Sequence, residues 1–144
     1  MTWSRTRPVF VGEDDASGLI YFPTYLHYMS EGEQLLFVEL GFPVAQQIAD
    51  RLAMPVVHAE CDYVAPARAG DVLTHSIELS VGRRSSVVCR HEFAKPDGQV
   101  VARAHLVRVM TDLDTLRPVA VSPSVRELLD HGRPAHRPNS IPHA

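Results

Sequence analysis

Residues 13–25 contain the side chains of this sequence that are best suited to chemistry. Three carboxylates stand in a row at 13–15, followed by Gly18, a turn residue, and by Pro23, which can open a helix. The first amides of a helix lack partners inside it and can hold a developing negative charge, while a nearby carboxylate attacks a carbonyl carbon or activates water. The pattern therefore predicts a hydrolytic site in which Asp15 is the working carboxylate.

The elements that must position this segment follow from the hydrophobic pattern. Apolar residues at helical spacing predict a long helix from Pro23 to about Leu40, ended by Gly41. Further helices are expected at 44–52 and 122–129, and strands at 5–13, 55–64, 71–82, 85–95 and 99–111. Tight turns between the last four strands favour an antiparallel meander. Because a five-stranded sheet is wider than one helix, the sheet must curl around it and still leaves an edge through which two chains can pair.

Composition limits the classes of function. The chain has 144 residues, 45% of them hydrophobic, which predicts a single domain over residues 1–131 and a disordered tail over 132–144. A net charge of -3 argues against a nucleic-acid partner. Cys61 and Cys89 form no metal-type or redox-type pair, and neither a signal peptide nor a long apolar run is seen, so a cytoplasmic protein without membrane contact is expected.

Three segments carry a resemblance to a known family. They are Asp15-x-x-Gly18 with the residues up to 25, then Tyr63-x-x-Pro66-Ala67-x-x-Gly70-Asp71, then residues 83–91. In this order they resemble the hotdog-fold acyl-CoA thioesterases of the 4-hydroxybenzoyl-CoA thioesterase family, over about residues 7–129. The resemblance implies an α+β hotdog fold, with a curved antiparallel five-stranded sheet wrapped around one long central helix. It also implies hydrolysis of an aromatic or medium-chain acyl-CoA, no cofactor, and a homodimer or a dimer of dimers.

The same resemblance implies roles for individual residues. Asp15 matches the family's catalytic aspartate, which acts on the thioester as nucleophile or general base. The family polarises the thioester carbonyl with a backbone amide at the start of the central helix, a position that corresponds to Phe22, with Tyr21 beside it. The residues expected to contact substrate are Gly18, Tyr25, Met54, Arg83, Arg84 and Ser86, where the two arginines match residues that touch the CoA phosphates.

Each of these residues also has a purely structural interpretation. Asp15 can cap a turn or a helix, as short polar side chains commonly do. Tyr25 can be a core aromatic. Arg83 and Arg84 can form a solvated hairpin tip, because exposed charges often contribute little.

Two other functions stay open, and a metal is not expected. A hotdog hydratase or dehydratase would need an Asp-and-His pair that His27 alone does not supply, and a non-catalytic acyl-CoA-binding protein would keep the fold without turnover. The strand histidines are scattered without the ligand-pair spacing of a metal site. They are His58, His75, His91 and His105.

Overall fold

In the computed structural model, which describes residues 1–133, helices and strands follow one another in an α+β order. The elements are β1 (Thr2–Pro8), α1 (Thr24–Leu40), α2 (Val44–Ala49), β2 (Leu52–Ala53), β3 (Val56–Tyr63), β4 (Val72–Val81), β5 (Ser86–Ala94), β6 (Val100–Val109), β7 (Thr111–Asp112) and α3 (Pro123–His131). The predicted disordered tail lies outside the described residues from position 134 onward. Within the described part of the chain, no helix is both long enough and apolar enough to cross a bilayer.

The predicted five-stranded antiparallel sheet is confirmed, with the order β1-β4-β5-β6-β3. Arg5 lies opposite His75 in the β1–β4 pair, and His91 lies opposite Ala104 in the β5–β6 pair. Along β4, buried side chains alternate with more exposed ones, so one face of the sheet supplies most of the core. A separate two-stranded ladder of β2 and β7 was not predicted.

The predicted four-strand meander is wrong in one respect, because only β4, β5 and β6 follow one another as neighbours. β3 pairs with β6 at the far edge of the sheet, where Cys61 lies opposite Ala104. The connection from β3 to β4 covers residues 64–71. Eight extended residues reach about 26 Å, which is ample to cross three strand spacings of roughly 4.8 Å each. The turn residues in this connection therefore mark a crossover and not a hairpin.

The first strand ends earlier than its apolar residues suggested. β1 stops at Pro8, whereas the sequence predicted a strand through position 13. Gly12 has a φ of +96°, and the Phe10 N–H donates to the Glu13 carboxylate at 2.7 Å, so this stretch turns away from the sheet. The consequence is that the acidic segment lies in a loop that leads directly to α1.

α1 matches the predicted long helix to within one residue. It ends at Gly41, whose φ of +76° lets its N–H and that of Phe42 return to carbonyls of the last turn, at Val38 and Phe37. The face toward the sheet is buried, whereas the opposite face exposes apolar side chains such as Leu35. One face of the longest helix is therefore left uncovered by the rest of residues 1–133.

A chain of polar side chains runs through the core between α1 and the sheet. The Arg5 Nε–H donates to His75 Nδ1 at 3.2 Å, the His75 and His91 rings are joined at 2.9 Å, and His91 Nε2 lies 2.8 Å from Glu33. Glu33 also accepts from Arg108. Since arginine only donates and a carboxylate only accepts, this order requires both imidazoles to be neutral with the proton on Nε2. Every member of the chain is thereby hydrogen-bonded.

This burial predicts an acid-sensitive fold. Burial first, then the neighbouring His91 and the charge of Arg5, lowers the pKa of His75 from 6.5 to about 2. As the pH falls below 6.5, the unfolded chain takes up a proton at this position that the folded chain excludes, so the free energy of unfolding decreases. We expect this residue to contribute a slope of about 1.4 kcal/mol per pH unit between pH 6.5 and 4.5, measured by urea unfolding.

A pair of variants isolates that contribution. His75→Gln should reduce the slope by about one proton, even if it is less stable at neutral pH. His27→Gln, which alters an exposed histidine of α1, should leave the slope unchanged. Equal slopes for the wild type and His75→Gln would show that the buried imidazole does not set the acid response.

Candidate active site

The acidic segment folds back on itself through a few backbone hydrogen bonds of the β type. This miniature ladder ends beside the start of α1. Asp14 bridges to Ile20, the Asp15 N–H donates to the Leu19 carbonyl at 2.9 Å, and the Gly18 N–H donates to the Asp15 carbonyl at 3.0 Å. Gly18 has a φ of +80°, a conformation that glycine adopts without strain. The first expected substrate contact, Gly18, is thus the residue that closes the turn carrying Asp15.

The Asp15 carboxylate is exposed at the tip of this turn. It accepts a hydrogen bond from the Ser17 N–H at 2.8 Å and another from the Ser17 hydroxyl. The hydroxyl bond, followed by the N–H bond, lowers the pKa of Asp15 below its ordinary value. The side chain does cap its own turn, as the structural interpretation expected, and it is also ionised and open to a ligand at neutral pH.

Glu13 fastens the base of the loop to the rest of the domain. Its carboxylate receives two hydrogen bonds from Arg7, at 3.0 and 2.9 Å, and one from the Tyr28 hydroxyl at 2.9 Å. Burial opposes ionisation, but the bonds from Phe10 N–H, Arg7 and Tyr28, together with the charge of Arg7, hold the pKa of Glu13 below its ordinary value. The loop is therefore held against both β1 and α1.

The start of α1 presents one backbone donor without a partner. The Thr24 N–H donates to the Tyr21 carbonyl at 2.8 Å, and the Tyr25 N–H donates to the Phe22 carbonyl at 3.4 Å. Pro23 has no N–H to offer. Among residues 1–133, the Phe22 N–H meets no acceptor. An unpaired amide at this position carries the partial positive charge of the helix start.

An aromatic groove of about 440 Å³ opens next to Phe22. Tyr25 is 4% exposed, and its ring centroid lies 5.6 Å from that of Tyr63 and 5.3 Å from that of Phe93. The Tyr63 hydroxyl donates to the Phe22 carbonyl at 3.2 Å. Tyr25 is therefore a packed core aromatic that also lines the groove. Phe22 lines the groove with an exposed ring, whereas the exposed Tyr21 does not line it.

The remaining expected substrate contacts lie elsewhere on the chain. Met54 is buried and lines a second groove of about 350 Å³, together with Phe37 and Arg108. Tyr25 does not line this second groove, so one chain does not bring Met54 and Tyr25 into the same site. Among the described residues the two grooves share no lining side chain.

Arg83, Arg84 and Ser86 lie at the hairpin between β4 and β5. This hairpin follows the C-terminal end of β4. The N-terminal end of β4 follows Asp71, whose carbonyl accepts a hydrogen bond from the Val9 N–H near the acidic loop. A ten-residue strand is about 33 Å long, so one chain does not place these arginines beside Asp15. Both arginine side chains are exposed.

The hairpin is nevertheless well supported. Arg126 of α3 donates to the Gly82 and Arg83 carbonyls, and the Val121 N–H donates to the Arg84 carbonyl. The Ser86 side chain fills the space beside Gly82, where an added Cβ would overlap its hydroxyl. The two guanidinium groups thus project from a fixed base.

The network formed by the most deeply buried polar residues was not predicted from the sequence. Glu33 is spaced with Tyr25, Met29 and Leu36 on the buried face of α1, and His91 lies between Cys89 and Phe93 on the buried face of β5. The sequence did contain a signal of this network. It places a charged residue at a core position of a helix and histidines at inward-facing strand positions. Because burial of a charge requires a partner, that signal predicts a polar network under the helix.

Comparison with known proteins agrees with this architecture. The family model for the Thioesterase-like superfamily matches residues 9–129. The 4-hydroxybenzoyl-CoA thioesterase of Pseudomonas sp. strain CBS-3 is 31% identical over 126 residues, which are 81% of this chain and 89% of that protein. A 1,4-dihydroxy-2-naphthoyl-CoA hydrolase of Synechocystis is 28% identical over 106 residues, 72% of this chain and 76% of the relative.

A solved structure extends the likeness to three dimensions. It is that of a 4-hydroxybenzoyl-CoA thioesterase in which an aspartate is replaced by asparagine, in complex with 4-hydroxybenzoyl-CoA. It superimposes with a TM-score of 0.81 at 26% identity and covers 89% of this chain and 98% of its own. With its five-stranded antiparallel sheet and its match over residues 9–129, the chain belongs to the Thioesterase-like superfamily and has the hotdog fold of thioesterases.

Proposed function

We propose that this protein hydrolyses CoA thioesters of hydroxylated aromatic acids at a site formed by Asp15 and the Phe22 amide. The observation that carries the proposal is the pairing of an ionised, exposed carboxylate with an unpartnered helix-start N–H, joined by the miniature ladder. The carboxylate attacks the thioester carbon or activates a water that does so, and the N–H stabilises the oxyanion that forms on the thioester. Thiolates are good leaving groups, so the reaction does not need a strong general acid.

Two routes use the same residues. As a nucleophile, Asp15 bonds to the thioester carbon and expels the CoA thiolate, and water then cleaves the mixed anhydride to regenerate the carboxylate. As a general base, Asp15 takes a proton from water, the hydroxide adds to the carbon, and the carbon–sulfur bond breaks as the proton passes to the thiolate. Single-turnover hydrolysis in heavy-oxygen water separates them, because only the anhydride route leaves label in the protein carboxylate.

The substrate class is supported by the groove and by the relatives. The groove beside Phe22 is lined by Tyr25 and Tyr63, whose rings offer edges and faces to an aromatic acyl group. The named relatives act on 4-hydroxybenzoyl-CoA and on 1,4-dihydroxy-2-naphthoyl-CoA, both of which carry a hydroxylated aromatic acyl group. A hydroxylated ring therefore fits this site better than a straight acyl chain.

Two copies of the chain are needed if the hairpin arginines hold the CoA phosphates. Arg83 and Arg84 lie about 33 Å along β4 from the acidic loop, so they reach a thioester at Asp15 more readily from a second chain. Strand β3 is one of the two edge strands of the sheet, with β1 at the other edge, and it exposes apolar side chains such as Val57, 61% exposed. We propose that this edge pairs with its copy to form a homodimer with two sites.

A panel of CoA esters tests the proposed activity by release of free thiol. The panel compares 4-hydroxybenzoyl-, 1,4-dihydroxy-2-naphthoyl-, benzoyl-, phenylacetyl- and straight-chain acyl-CoA. We expect the highest kcat/KM for a hydroxylated aromatic ester and at least tenfold less for a straight chain, since a site that pairs with a hydroxyl discriminates strongly. Tight binding of every ester without thiol release would contradict hydrolysis and favour an acyl-CoA-binding protein.

A further inference from the structure

A cluster of nitrogen and oxygen ligands lies on the outer edge of the sheet, away from the acidic loop. His58 and Glu60 are two residues apart on β3 and so point to the same face of the sheet. The strand register places His105 of β6 directly opposite Glu60. Linear spacing did not reveal this cluster, because the three residues meet only when β3 pairs with β6.

The geometry of the cluster suits a small divalent metal ion. His105 Nδ1 lies 3.0 Å from Glu60 Oε1, and His58 Nε2 lies 3.8 Å from Glu60 Oε2. One ligand atom from each side chain can be chosen so that all three lie within 4.8 Å of one another. Ligands about 2.0–2.1 Å from a tetrahedral zinc ion are roughly 3.4 Å apart. Exposed side chains on fixed strands need only small rotations to close the difference.

His105 supplies an independent observation. Its Nε2 is buried and has no hydrogen-bond partner, the one such side-chain atom among residues 1–133. Nδ1, the ring nitrogen that lies beside Glu60, is therefore the atom that His105 offers to the cluster, whereas Nε2 leaves the hydrogen bonding of the ring incomplete.

We propose that His58, Glu60 and His105 form a binding site for a divalent transition metal of the zinc class. Two imidazoles and one carboxylate are ligands that Zn²⁺, Co²⁺ and Ni²⁺ accept, whereas Ca²⁺ and Mg²⁺ prefer oxygen alone. Three protein ligands leave further positions to water. The bound ion would add a second link between the edge strand β3 and its partner strand β6.

Metal titration of the full-length, chelator-treated protein tests the proposal. We expect one Zn²⁺ per chain by calorimetry and, with Co²⁺, the intense visible absorption of a tetrahedral site. His58→Gln and Glu60→Gln should each weaken Zn²⁺ binding at least tenfold, since even residues that only support a ligand have effects of that size. Both positions are exposed, so the variants should melt at the wild-type temperature without metal.

Control variants separate this site from the other histidines. His27→Gln and the triple change His131→Gln, His136→Gln and His143→Gln should leave the Zn²⁺ affinity of the strand site unchanged. The proposal is overturned if no Zn²⁺ binds. It is equally overturned if binding survives in His58→Gln and Glu60→Gln but disappears in the triple variant.

Discussion

Replacing Asp15 by asparagine is expected to lower kcat for 4-hydroxybenzoyl-CoA by a factor on the order of 10² to 10⁴, because a carboxylate that attacks or activates water cannot be replaced by a neutral amide. The effect on folding should be small. Asparagine keeps the oxygen that accepts the Ser17 N–H, and the side chain is exposed. Steady-state thiol release and a thermal melt measure the two quantities separately.

The adjacent residue provides a matched control for that variant. Asp14 is also a carboxylate of the acidic loop, and its side chain accepts the Gly12 N–H at 3.2 Å. Asp14→Asn makes the same chemical change one position away and should keep kcat within a few-fold of wild type. If Asp15→Asn kept more than a tenth of the wild-type kcat, this carboxylate would not be the catalytic group.

Glu33→Ala is expected to produce the largest loss of stability in the described chain. The Glu33 side chain is 1% exposed and pairs with both His91 and Arg108. Its removal leaves an arginine charge and an imidazole N–H without their acceptor and opens a cavity. Breaking a buried ion pair from one side typically destabilises by about 3–5 kcal/mol. Urea unfolding at pH 7 should show a decrease of this size.

Two comparisons make that result interpretable. Gln34→Ala changes the next residue of α1, an exposed side chain that donates a hydrogen bond to Ser30, and should alter stability by less than about 0.5 kcal/mol. The double variant Glu33→Leu with Arg108→Met removes both charges and should be less destabilised than the sum of the single changes. A loss below about 1 kcal/mol for Glu33→Ala would mean that the buried chain contributes little.

Local patterns in the sequence predicted most of the elements but not the order of the strands. The helical spacing from Leu26 to Leu40 and the stop at Gly41 defined α1 to within a residue. Hydrophobic runs also predicted β3, β4, β5 and β6. The placement of β3 at the far edge depends on pairing between residues distant in sequence, such as Cys61 with Ala104, which no local signal encodes.

The same distinction between local and long-range contacts applies to the candidate functional side chains. The turn around Asp15 and the start of α1 are contiguous in sequence, so their proximity was predictable from residues 13–25. The buried chain from Arg5 to Glu33 crosses β1, β4, β5 and α1, and it becomes visible only when strand register is known. Strand register also explains why the histidines look scattered in the sequence. In the structure His75 and His91 form one cluster in the core, and His58 and His105 form another beside Glu60.

The most direct test of the central claim is a crystal structure of the Asp15→Asn variant with uncleaved 4-hydroxybenzoyl-CoA. We expect the thioester oxygen to lie about 3 Å from the Phe22 nitrogen and the side chain at position 15 to lie within about 3.5 Å of the thioester carbon. A thioester bound away from the start of α1, with the side chain at position 15 facing solvent, would contradict it.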